Sequence, residues 1–393
     1  MTKPQFTLIP SAYKVDKVYS VLPVDGSGDM TFYRGSEATR VREDGLIENV
    51  LSNTPRLNWL NSNCPSLLLE PLRTNLQVYS EEFDNVVWIK SKTTITANDT
   101  ISPNGELTAD KITGDGTGTS YVYDGISLTN GNTYTISIFV KPIINISSFA
   151  INVFGGVGTA PFDLINKTIG TLTGDFTSAK IEDYGNGWLR CSGTLTLSST
   201  TGTKNIGYGL FDFNGDQFYL FGAQVEEGNY PTSYIKRETD IVTRLKDECI
   251  NGGDSDLFNI TEGSFFIDVL PYNAGLVSTI SLSNNSTSQR ILIQFQSNGT
   301  QVRLFSSGGV SNYQTITFNQ RNKILVTFKL NEYKFYINGA LVSTDTSATV
   351  PTSLDRLNFS NSTANSDFFQ GEVNDTRVYD KVLTEAEAIK LTT

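Results

Sequence analysis

Residues Arg290–Ser306 read RILIQFQSNGTQVRLFS. Two runs rich in β-formers, RILIQFQ and TQVRLFS, flank Ser297-Asn298-Gly299, a turn signal that predicts a β-hairpin. Downstream, KILVTFKL and YKFYINGALV flank Asn331–Glu332 and predict a second hairpin. GEVNDTRVYD reads as a late alternating strand. The period then changes in LTEAEAIKL, where Thr384 and Glu387 have capping-box spacing for one short helix. A sheet-rich body closed by a terminal helix predicts a sandwich over residues 261–393.

Upstream, residues 76–238 alternate with period two. In YTISIFV, Tyr134, Ile136, Ile138 and Val140 share a face; in FAINVF, Phe149, Ile151 and Val153 do. WLRCSGTLTL and QFYLFGAQVE continue the pattern, and TNGN, YGNG and FNGD separate the strands. About eight strands over this length suit a jelly-roll sandwich. Residues 239–260 read as a linker. Residues 1–75 are irregular, with few strands long enough to form a sheet alone, so they are expected to pack on something else: the next domain, a second copy or a larger particle. The fold class is therefore all-β: two sandwiches, an irregular N-terminal segment and a short C-terminal helix.

Composition narrows the chemistry. The chain of 393 residues contains no histidine, which removes Ser-His-Asp and Cys-His nucleophile systems and His-bearing zinc sites. Cys64, in CPSLLLEPLRTNL, has no histidine base and reads as a buried or idle thiol. Its neighbours Pro65 and Pro71 favour a short extended segment, with Leu67 and Leu69 on one side, Leu68 on the other, and Glu70 placed to pair with Arg73. The three cysteines are odd in number and far apart, which argues against a disulfide framework. A net charge of −11 argues against a broad nucleic-acid surface. The charge is uneven: residues 1–75 are neutral, 76–238 carry −7 and 239–393 carry −4. No run is apolar enough for a membrane span, and no signal peptide is visible at the N-terminus.

Several stretches together resemble phage head-spike and tail-fibre proteins. They are Arg34, Ser36, Ala38 and Thr39 (Arg-x-Ser-x-Ala-Thr), GLIE at Gly45–Glu48, PRL at Pro55–Leu57, LLLEPLRTNL at Leu67–Leu76, and the Tyr79–Trp88 element YSEEFDNVVW. LFGAQVEEGNYPTSYIKRETDIVTR is also similar to that family, where it closes a carbohydrate-binding-module-like jelly roll. YKFYINGALV and FFQGEVNDTRVYDKVLTEAEAIKL are similar to laminin-G or concanavalin-A-like lectin/glucanase domains. The resemblance implies a virion surface protein, head spike or tail fibre, assembled in the bacterial cytoplasm as a homotrimer. It implies that residues 1–75 hold other virion proteins and that the sandwiches bind host surface glycans. The alternatives are a polysaccharide depolymerase and a capsid decoration protein that binds no glycan. Cofactors are not implied, apart from the one structural calcium that jelly-roll binding modules often hold.

Glucanases of the concanavalin type often carry Glu-x-Asp-x-Glu on one strand face; no such triplet occurs. Asp268, Glu372 and Asp375 are the nearest acids, with Glu372 and Asp375 expected on opposite faces, so no catalytic role is expected. Sugar sites stack rings on exposed aromatics, and Tyr184, Trp188 and Phe213 are the candidate platforms, with Trp88 and Phe211 further possibilities and core packing the alternative for each. The acid-bearing loops around Asp25 and Asp29, Asp115, and Asn251, Asp254 and Asp256 are candidates for calcium, without EF-hand spacing.

Overall fold

The late hairpins build the larger of two sheets in the C-terminal sandwich. In the computed structural model, which describes residues 2–60, 62–144, 148–209, 216–362 and 366–393, this antiparallel sheet runs Ala340–Asp345, Glu332–Ile337, Asn322–Lys329, Glu262–Pro271 and Gly371–Tyr379. Asn338 and Gly339, both at positive φ, split YKFYINGALV into two strands. Asn-Gly is the usual signature of a two-residue hairpin. The facing sheet orders Val310–Thr315, Gln301–Ser306, Gln289–Phe295, Ser278–Ser286 and Arg356–Asn358. Ile291, Ile293, Phe295, Val302 and Leu304 enter the shared core from this side, and Phe265, Ile267, Ile324 and Val326 from the other. The Glu385–Thr392 helix starts at the expected Thr384–Glu387 capping box and buries Ala388 and Leu391 against Phe266, Leu325 and Tyr336.

The upstream sandwich pairs a sheet ordered Thr93–Ile101, Leu107–Gly114, Gln217–Glu227, Thr133–Ile144, Leu189–Thr196 and Phe176–Asp183 with a second, seven-stranded one. Tyr134, Ile136, Ile138, Val140, Phe149, Ile151 and Val153 all lie in its core. The alternation therefore assigns the faces as expected.

The first 75 residues do not stand apart. Phe6–Leu8 and Ser66–Leu69 both hydrogen-bond to Gly371–Tyr379 and so extend the C-terminal sheet. Leu67 and Leu69 enter its core while Leu68 faces away. Val41 and Ile47 instead pack on the outward face of the six-stranded jelly-roll sheet, against Phe139 and Phe221. Residues 239–260, expected as a linker, contribute two strands: Val242–Arg244 pairs with Arg73–Asn75, and Glu248–Ile250 with Met30–Tyr33. Cys64 is exposed rather than buried.

Where these pieces meet lies a buried ionic network. Glu70 accepts from Arg56 Nη1 at 2.6 Å, from Ser233 N at 2.8 Å and from Ser233 Oγ at 2.7 Å, with Arg244 Nη1 at 2.8 Å. Asp247 accepts from Arg34 Nη1 at 3.1 Å, from Glu70 N at 2.8 Å and from Arg56 Nη2. Arg34, Arg56 and Arg244 are at most 1 % exposed. Burial raises the Glu70 pKa, but the Arg244 and Arg56 guanidiniums with Ser233 outweigh it and hold the carboxyl at about 2. Arg73, expected to pair with Glu70, instead lies 3.8 Å from Glu226.

Breaking a buried pair leaves a charge uncompensated, so Glu70→Gln is expected to cost about 3–5 kcal/mol in denaturant unfolding at neutral pH. Because the folded carboxyl titrates below its ordinary 4.5, its stabilisation is complete above that value and is lost as pH falls toward 2. The wild type should therefore lose stability over that window more steeply than the variant. A chain beginning at residue 76 lacks three strands of the C-terminal sheet, Phe6–Leu8, Leu57–Asn58 and Ser66–Leu69, and hydrogen exchange should show loss of protection in Gly371–Tyr379.

Candidate functional site

The aromatics first expected to present themselves to a sugar are not available. Trp188 is 2 % and Tyr184 8 % exposed, both in the cluster that Val41 and Ile47 close. Trp188 Nε1 donates to Ile101 O at 3.2 Å, and burial pushes the Tyr184 hydroxyl up to about 12. The N-terminal segment covers the sheet face on which both residues lie, so neither is a platform. Trp88 is 1 % exposed and packs at a tilt against Phe83 and Tyr208 inside the jelly roll. Phe213 and Phe211 lie outside the described residues.

A different aromatic surface lies on the other jelly-roll sheet. Val122, Val153, Ile206 and Tyr208 point into the core. Strand alternation therefore turns Tyr121, Tyr123, Asn152, Phe154, Gly207 and Gly209 outward. Register sets Tyr121 opposite Gly209, and Tyr123 and Asn152 on either side of Gly207. The three rings tile together: Tyr121 and Phe154 have centroids 5.0 Å apart, Tyr123 and Phe154 5.5 Å, and Tyr121 and Tyr123 5.9 Å. The glycines make this possible. A Cβ on Gly207 would lie 2.6 Å from Phe154, and one on Gly209 2.8 Å from Tyr121. The result is a partly exposed aromatic surface beside Asn152, whose Oδ1 accepts from Thr159 Oγ1. Such a surface can stack a sugar ring while neighbouring amides bond its hydroxyls. In the sequence its trace is Tyr-Val-Tyr and Gly-Tyr-Gly, both with period two. The two signals become one site only once these strands are known to be neighbours.

The acids assemble differently from expectation. A bulge beside Asp375 sets Glu372 and Asp375 on the same outward face of their strand rather than on opposite faces. Each is engaged. Asp375 accepts from Arg377, Asp268 from Arg321 at 2.5 and 2.6 Å, and Glu372 from Ser66 at 2.6 Å and Tyr272 at 2.9 Å. Burial pushes the Glu372 and Asp375 carboxyls up. The loops considered for calcium close on themselves. Asp25 accepts from Ser27, Asp115 from Thr117, and Asp254 from Asp256 N, while Asp29 holds Lys17 and Ser20. Among the described residues no three His, Cys, Asp or Glu gather as metal ligands. A cleft of about 390 Å³ beside Thr39 and Asn49 is lined by opposed charges, Lys236 with Glu37, Glu238 and Asp240, and presents no aromatic face comparable to the tyrosine surface.

Residues 265–388 match the family described as the concanavalin A-like lectin/glucanases superfamily, of the laminin-G type. No curated protein sequence matches the chain. Among solved structures, the chain is similar to the CBM40 module of a Ruminococcus gnavus sialidase bound to α2,3-sialyllactose. Identity is 16 %, coverage 37 % of this chain and 94 % of that one, and the TM-score 0.31. It is similar to domain 4 of an extracellular GH43 arabinanase from Geobacillus stearothermophilus in complex with arabinotriose, at 16 % identity over 42 % and 82 % of the chains, TM-score 0.32. A putative carbohydrate-binding protein from Bacteroides ovatus aligns over 70 % and 79 % at 10 % identity, TM-score 0.30.

Core and surface aromatics should separate on mutation. Trp188→Ala is expected to cost about 3–5 kcal/mol in urea unfolding, and Tyr123→Ala about 1 kcal/mol.

Proposed function

We propose that the chain is a carbohydrate-binding β-sandwich protein and that its jelly roll binds sugar on the Tyr121–Tyr123–Phe154 surface. One observation carries this reading: three partly exposed rings cluster over glycines whose missing side chains leave room for them. Aromatic faces on a rigid sheet cost little ordering on binding. The reading takes the protein as a binder rather than a hydrolase, because the acids nearest to a catalytic pair are each held by an arginine or by hydroxyl donors.

The finer proposal places the protein on a bacteriophage virion, as a head-spike or tail-fibre subunit. It rests on the elements at Arg34–Thr39, Leu67–Leu76 and Tyr79–Trp88. Ile9, Val15, Val21 and Val24 are exposed apolar side chains, Val24 at 90 %, and they offer the N-terminal segment an attachment surface. Trimeric assembly would convert weak single-site affinity into avidity.

Glycan-array binding of the full chain, compared with Tyr123→Ala and Phe154→Ala, tests the site. Binding to at least one glycan that both variants weaken by about tenfold is the expected result. Binding indifferent to both variants would remove the site, and release of oligosaccharide products would replace it with the depolymerase reading. Light scattering tests the assembly: a mass of three chains is expected, and a monomer would remove the self-assembled spike.

A further inference from the structure

The C-terminal sandwich carries a second surface of different chemistry, on the outward face of its five-stranded sheet. Ile291, Ile293, Val302 and Leu304 are core residues, so Arg290, Gln294, Arg303 and Phe305 face out. Register sets Gln294 opposite Arg303 and Arg303 opposite Tyr313. The Arg303 guanidinium lies 4.6 Å from the Phe305 centroid and 5.3 Å from that of Tyr313, and the Arg290 guanidinium lies 5.1 Å from Phe305. Energetic cation–π contacts occur about once per 70–80 residues, yet these all fall on one face. Tyr313 is 49 % exposed.

The charges on this face are not ion-paired. Arg321, Arg356 and Arg377 of the same sandwich each hold a carboxylate. Among the described residues, Arg290 and Arg303 form no ion pair, and their hydrogen-bond acceptors are neutral. Arg303 donates to Ser311 Oγ at 3.0 and 3.2 Å and to Gln294 Oε1 at 3.3 Å. Arg290 Nη1 donates to Asn361 Oδ1 at 2.8 Å and Ser362 Oγ at 3.2 Å, and its buried Nε has no partner. Burial, and after it the charge of Arg303, lowers the Arg290 pKa; Asp367, which accepts from Asn361, opposes this. Two like charges share one ring in a chain of net charge −11.

We propose that this face is a second binding site, selective for sugars that carry an oxyanion, with Arg303 and Arg290, backed by Phe305, binding the anion and Tyr313 stacking the ring. Guanidinium groups form charge-assisted hydrogen bonds to carboxylate and sulfate oxygens and tolerate partial desolvation better than ammonium groups. The site rests on the reading of the chain as a glycan binder but not on the jelly-roll surface.

Calorimetric titration of the full chain with polygalacturonate, dextran sulfate and neutral dextran tests it, with Arg303→Gln, Ser311→Asp and Tyr123→Ala beside the wild type. Binding of an acidic polymer that weakens with salt, falls about tenfold in Arg303→Gln and persists in Tyr123→Ala is expected. Polygalacturonate alone would mark the anion as carboxylate, dextran sulfate alone as sulfate. Ser311→Asp puts a carboxylate beside the Arg303 fork at an exposed position and should abolish binding even if Arg303→Gln folds poorly. Acidic binding unaffected by Ser311→Asp would overturn the proposal. So would neutral glycans binding through Tyr123 while acidic polymers do not, and that result leaves the jelly-roll reading standing. Absence of binding to these polymers and to a glycan array would overturn both.

Discussion

The carboxylate of Glu70 holds the parts of this protein in one arrangement. It is reached by Arg56 from the N-terminal segment, by Ser233 from the end of the jelly roll and by Arg244 from the strand that follows. Through its backbone N–H it also fixes Asp247, which in turn holds Arg34. Burying these charges is expensive, and the attraction between them offsets that cost only when every partner is in place. Apolar packing tolerates sliding; this network does not. It favours one relative placement of three chain segments that meet only in the tertiary structure.

That placement decides which surfaces remain free. Residues 1–75 lend strands and apolar side chains such as Phe6, Leu67 and Leu69 to the C-terminal sandwich, and lay Val41 and Ile47 on one face of the jelly roll. Tyr184 and Trp188 disappear beneath them. The faces left open are the seven-stranded jelly-roll sheet with its tyrosines and the five-stranded C-terminal sheet with its arginines. The first presents aromatic rings inclined to one another, the second arginines set over aromatic rings.

Much of the fold was legible because period-two alternation reports directly on which residues face a core. The hairpin at Ser297–Gly299, the cores around Tyr134–Val140 and Phe149–Val153, and the capping box at Thr384 depend only on residues close in sequence. Errors arose where partners are distant. Nearness in sequence pairs Arg73 with Glu70, whereas Glu70 selects Arg56 and Arg244, 14 and 174 positions away. Plain alternation puts Glu372 and Asp375 on opposite faces, and the bulge that resets it leaves little trace in the sequence.

The sequence by itself determined the all-β class, the faces of the unbulged strands, the helix start and the exclusion of histidine chemistry, since each follows from composition or from local periodicity. Only the tertiary structure decided which aromatics reach solvent. Exposure of a side chain on a sheet face depends on what else in the chain comes to lie over it. Val41 and Ile47 cover Trp188, and glycines on a neighbouring strand leave Tyr121, Tyr123 and Phe154 open, for reasons that lie more than 50 residues away from the rings themselves.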